Sequence, residues 1–170
     1  MGSHDGTAQT RWFRVQAIGA VVRPGQEWSD LDGFYDPATE STLEILPRWA
    51  DALDGLEEYS HLVVVCWLDR AKRAHRGYRL RPERRAEMPE VGALATRTPQ
   101  RPNPIGLSTP RLVRREGATL WVTGIDAWPG TPILDIKGYT PRDDVRPDAA
   151  VPDWLQRLWE IHDREHEREA

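Results

Sequence analysis

Two guanidinium groups and a carboxamide, those of Arg97, Arg101 and Asn103, fall close together in the segment Ala95–Ser108, which also holds Pro99, Pro102, Pro104 and Gly106. Each proline fixes φ near about −65° and removes an N–H donor, so this stretch cannot run as an ordinary ladder strand or helix. A stiff loop that presents cations and an amide lowers the ordering cost of holding an anion or a nucleoside. The plain alternative is a proline-rich structural corner. Downstream, Asp135 and Lys137 stand two residues apart. On a strand they share a face, either as a proton acceptor beside a cation or as a structural ion pair, and the residues leave both open. His162 and His166 have the i, i+4 spacing of a metal pair, but Asp163 stands where a zincin helix needs Glu. A charged, solvated helix end is the expectation there, with no metal.

These side chains need a scaffold, and the pattern of the middle of the chain is β. Phe13, Val15 and Ala17 alternate with polar neighbours, Val63–Leu68 is a continuous apolar run, and Leu120–Ile125 follows a turn-like Arg114–Gly117. Ile105–Val113 and Thr119–Asp126, separated by residues containing Gly117, predict a hairpin. Leu31–Ala38 and Arg84–Gly92 read as loops, and residues 47–55 as a short helix after Pro47. After Pro152, Trp154, Leu155, Leu158, Trp159 and His162 recur on one helical face. Beyond Ile161 acids crowd the helix C-terminus, where the dipole disfavours them, and fraying is expected.

The chain has 170 residues and a net charge of −4, enough length for one domain with its own core. No apolar run reaches the ~18 residues of a membrane span, and Met1–Thr10 has no signal-peptide pattern. The lone Cys66 cannot form an internal disulfide and reads as a small buried hydrophobe, so a cytoplasmic protein is expected. Most of the 8 tryptophans are expected to anchor the core. The net charge hides an asymmetry. Residues 70–115 carry thirteen Lys/Arg against three Asp/Glu, while both flanks are acidic. Such a block, with Arg76, Arg79 and Arg81 near its centre, suits a polyanion such as RNA, or else is neutralised by the acidic flanks.

The stretch Arg97-Thr-Pro-Gln-Arg-Pro-Asn-Pro-Ile-Gly-Leu-Ser108 resembles the signature of the TrmO/TsaA-like family of S-adenosylmethionine-dependent methyltransferases. Gly130-Thr-Pro-Ile-Leu-Asp-Ile-Lys137, followed by Tyr139, resembles that family's later block. Phe13–Val22 and Leu56-Glu-Glu-Tyr-Ser-His-Leu62, leading to Trp67-Leu-Asp-Arg70, are weaker matches in the same order. The chain departs from the pattern at Pro129, usually Asp, and at Gly138, usually Pro. The resemblance implies a mainly β, single-domain β-barrel over residues 12–145, after a tail at 1–11 and before a C-terminal helix and charged tail at 146–170. It implies S-adenosylmethionine as cofactor, held by Arg97, Arg101, Asn103, Pro104, Ile105, Gly106, Leu107, Asp69, Asp126 and Thr131. It implies a homodimer and, as acceptor, the N6 nitrogen of threonylcarbamoyladenosine at tRNA position 37. The delocalised lone pair of that nitrogen makes a weak nucleophile. Asp135 is then the candidate base, Lys137 the candidate stabiliser of developing charge, and Tyr139 their neighbour. The tRNA would lie on Arg76, Arg79 and Arg81. The competing readings are a small-metabolite methyltransferase of the same fold and a noncatalytic S-adenosylmethionine-binding module.

Overall fold

The computed structural model describes residues 11–23, 37–71 and 77–169. Its main body is a seven-stranded, wholly antiparallel sheet. The strands are β1 (Gly19–Val22), β2 (Glu40–Ile45), β3 (Leu62–Trp67), β6 (Ile105–Ser108), β7 (Arg111–Glu116), β8 (Thr119–Thr123) and β9 (Pro132–Gly138), in the order β6-β3-β9-β1-β2-β8-β7. Between β3 and β6 a small pair, β4 (Arg79–Leu80) with β5 (Val91–Gly92), forms inside the segment read as basic loop. The expected barrel is thus a mainly β fold whose named strands leave β6 and β7 as edges. A lone bridge between His61 and Arg111 brings β7 against the entry of β3, with Leu62 N–H donating to Pro110 O (3.0 Å) and Leu112 N–H to Ser60 O (2.9 Å).

Strand alternation builds the core. Leu62, Val64 and Cys66 of β3 point inward, as do Leu120 and Val122 of β8, and they meet Val21, Leu43 and Ile133. Aliphatic side chains fill this interior. The described tryptophans do not: Trp12, Trp49, Trp128 and Trp159 are exposed, and Trp67, Trp121 and Trp154 are only partly covered.

Local chemistry explains the joints. Gly117, at φ +59°, opens the expected β7–β8 hairpin at the first central turn position, where a side chain would be strained. At Gly19 a Cβ would run into the Glu44 carbonyl oxygen and the Ile45 backbone, so only glycine lets β1 and β2 approach this closely. The expected helix after Pro47 is a 3₁₀ segment, Pro47–Leu53, pinned by Arg115, which donates to Ala50 O and Asp54 Oδ1.

After a short turn of helix, α1 (Pro141–Asp144), the chain ends in α2 (Asp153–Glu169). Leu158 is buried on the expected face. Past Ile161, where fraying is expected, two long-range partners oppose the dipole penalty. Arg85 donates to both Glu165 oxygens (3.0 and 2.8 Å), and His162 Nε2 lies 2.9 Å from Glu83.

Candidate functional site

Strand β3 runs between the two motif blocks. On one side it pairs with β6, the end of the proline-rich segment, through Val65↔Leu107 and Trp67↔Ile105. On its other side it pairs with β9, through Val65↔Asp135 and Val63↔Lys137. Val65 is therefore the register partner of both Leu107 and Asp135. Two strand spacings, about 10 Å, separate residues that lie far apart in sequence. A register shift between Val65 and Cys66 sets the face on which β9 presents Asp135. The bulge lets Ile133 stay buried in the core while Asp135 and Lys137 lie on the accessible side.

Asp135 and Lys137 form an ion pair at 2.5 Å, with side chains 47% and 66% exposed. The other carboxylate oxygen, Oδ1, accepts from the Ile136 N–H at 3.0 Å. Each oxygen keeps a further lone pair for a third group. As a structural device, so exposed a pair contributes only about 0–1 kcal/mol. Beside it lies an apolar stripe in which Ile105 and Leu107 are 44% and 55% exposed.

The proline-rich segment is braced by its own side chains in place of the donors its prolines lack. Thr96 Oγ1 donates to Ala93 O and accepts from Thr98 N–H, Thr98 Oγ1 accepts from Gln100 N–H, and Arg101 Nη1 donates to Thr96 O at 3.2 Å. Arg101 is thus occupied in holding the loop. Arg97 and Asn103 stand exposed. The Asn103 carbonyl takes Ile105 N–H (2.7 Å) and Pro104 O takes Leu68 N–H (2.7 Å), which ties the loop to the exit of β3. At the same exit Asp69 is exposed, and Arg70 Nη1 donates to Pro129 O (2.8 Å), fastening the turn that leads into β9. Loop, β3 exit and β9 entry therefore gather at one end of the sheet.

Other expected residues fall elsewhere. Thr131 is buried, and its backbone N–H and carbonyl are spent on Trp128 O and Val21 N–H. Asp126 is exposed in the segment after β8. Tyr139 lies beyond the far end of β9, its N–H on His61 O and its ring edge-on to His61 at 6.3 Å. Four strand residues, about 13 Å, separate it from Asp135. Arg76 lies outside the described residues. Arg79 pairs with Glu90 at 3.3 Å, and Arg81 donates to Met88 O at 2.6 Å. Much of the basic block is thus engaged within the fold. Cys66, behind the site on β3, is buried, and desolvation pushes its thiol up to about 11. The sequence alone did not show the place of Val65, a property of register, nor that Arg84 and Trp159 line a cleft of about 1350 Å³ together with Arg97.

The family model for the tRNA-methyltransferase O N-terminal domain matches residues 31–145. The chain belongs to the TrmO N-terminal domain family. It is 39% identical over 154 residues to a probable S-adenosyl-L-methionine-binding protein of Pyrococcus abyssi, covering 89% of this chain and 80% of that one. It is 49% identical over 74 residues to the tRNA (adenine(37)-N6)-methyltransferase of Eikenella corrodens, covering 42% of each. Its fold matches a crystal structure of TrmO from Pseudomonas aeruginosa with a TM-score of 0.67 and 33% identity, over 86% of this chain. The chain spans 63% of that TrmO chain. The proline-rich segment and the Asp135–Lys137 strand, on which the resemblance rested, both lie within the matched TrmO region.

Proposed function

We propose that this TrmO-family chain is an S-adenosylmethionine-dependent methyltransferase acting on the N6 nitrogen of a modified adenosine in tRNA, threonylcarbamoyladenosine at position 37. The observation that carries the reading is the row Leu107–Val65–Asp135, which brings the two motif blocks to either side of one strand. The groups at hand suit the cofactor: a free guanidinium at Arg97 for its carboxylate, Asp69 for its ammonium, and Asn103 with the backbone of Pro104–Leu107 for its adenosine. When bound, S-adenosylmethionine supplies an electrophilic methyl group on a sulfonium. Asp135 takes the proton of the acceptor nitrogen, and Lys137 stabilises negative charge on the neighbouring ureido oxygen. Burial of Thr131 and the remote place of Tyr139 give those two positioning duties, and Asp126 stands at the rim.

We assign the exposed Ile105–Leu107 stripe, on an edge strand open to further pairing, to a second copy in a homodimer. The His61–Arg111 bridge supports closure of residues 12–145 into a barrel, with residues 146–170 as a helical appendage. A cytoplasmic place accords with a tRNA substrate, and Arg79 and Arg81, together with Arg76, are its expected contacts. Transfer of a labelled methyl group to total tRNA tests the reading. Cofactor binding with unlabelled tRNA would favour the small-metabolite acceptor, which the departures at Pro129 and Gly138 support.

A further inference from the structure

The cleft bordering the proline-rich segment is lined by residues 80–84 and 94–100, by Val151 and by α2. At about 1350 Å³ it exceeds the ~300–1000 Å³ of ordinary small-molecule sites. Its lining joins two indoles, Trp154 and Trp159, to three guanidinium groups, those of Arg81, Arg84 and Arg97. Trp159 is 49% exposed, while its neighbour Leu158 already supplies the helix with its buried contact. Burial thus does not account for the Trp159 ring.

The one carboxylate in the lining is Glu83, and it is held by His162 and Arg85. That arrangement depends on an unusual backbone. Glu83 and Arg84 adopt consecutive positive φ values, +50° and +58°, in the turn closed by Arg85 N–H on Pro82 O. The turn lays Glu83 on α2 and leaves Arg84 exposed at the cleft. Strain of this kind in a non-glycine pair persists where surrounding contacts fix it. The outcome is a groove with aromatic faces and a positive rim, running up to Arg97 of the proline-rich segment.

Aromatic faces that stack any base, beside cations that follow phosphates, are the chemistry of single-stranded nucleic-acid binding. We propose that this cleft is a nucleotide-stacking groove for an unpaired RNA segment flanking the methylated base, with Trp159 as the stacking face and Arg84 as a phosphate contact. The proposal rests on the tRNA reading above.

The test is an anisotropy titration of fluorescein-labelled total tRNA against wild type, Trp159→Ala, Trp159→Phe and Arg84→Asn, beside calorimetric titration of S-adenosylmethionine. Asn is chosen because it tolerates a left-handed backbone. Trp159→Ala should weaken tRNA binding about tenfold and Trp159→Phe should restore most of it. Arg84→Asn should lower the slope of log K against log salt by about one. Cofactor affinity should stay at the wild-type value throughout. Unchanged tRNA binding in both Trp159→Ala and Arg84→Asn would overturn the groove alone, as would loss of cofactor binding with tRNA binding intact. Failure of the wild-type protein to bind or methylate tRNA would instead overturn the tRNA reading, and the groove with it.

Discussion

Replacing Asp135 by Asn separates the two readings of the Asp135–Lys137 pair. The substitution keeps an oxygen for the Ile136 N–H and removes only the charge. With side chains 47% and 66% exposed, the pair contributes at most about 1 kcal/mol to stability. For a domain of this size that is a fall in Tm of no more than about 4 °C. Loss of a proton acceptor costs far more in rate, about 10²- to 10⁴-fold in kcat. The expected result is a variant that melts near wild type, binds S-adenosylmethionine normally and turns over at least a hundredfold more slowly, an order-of-magnitude figure from general acid–base catalysis. The assays are thermal denaturation by circular dichroism, calorimetry with the cofactor, and initial rates of labelled methyl transfer to tRNA. Turnover close to wild type would refute the assignment and leave a structural ion pair.

Three further outcomes follow from the packing. Cys66, raised from 9.0 to about 11 by burial, should resist thiol reagents at pH 8 until the protein unfolds. Its neutral form contributes stability below pH 9 that is lost as pH rises towards 11, measurable as a falling Tm over that window. Hydrogen bonds from Arg85 hold Glu165 below its ordinary value of 4.5, so its contribution to docking α2 is present above pH 4.5 and lost as pH falls below it. Acid titration of tryptophan fluorescence should show that release in wild type, and Glu165→Gln should diminish the step, the remainder coming from Glu83, which, against its desolvation, His162 and Arg85 also hold below its ordinary value. Gly19→Ala drives a Cβ into the immovable Glu44 carbonyl, whereas Gly138→Ala meets only the ring of the partly exposed Tyr59. Gly19→Ala should therefore be the more destabilising, by about 1–3 kcal/mol or more in a denaturant titration.

The Asp135–Lys137 block was marked by resemblance and its strand has no simple alternation, whereas the proline-rich segment was legible because proline and glycine act locally. The β7–β8 hairpin was legible for the same reason, through Gly117. Strand β2 was not, since Ser41 and Thr42 are polar residues at buried positions. Ser41 is satisfied there by Arg23 Nε at 3.0 Å, a partner from just past the end of β1 that local patterning cannot show. The basic block was legible as charge but not as structure. Its cations were visible, but their acceptors Glu165, Glu90 and Met88 O were fixed only by folding. That Asp135 and Leu107 share a neighbour depends on the register of β3, which no single stretch of sequence contains.

The most direct test of the account is nucleoside analysis of tRNA incubated with the purified protein and labelled S-adenosylmethionine. Label is expected in N6-methylated threonylcarbamoyladenosine after digestion, and none when the cofactor is withheld. Bound cofactor with no labelled nucleoside would contradict it.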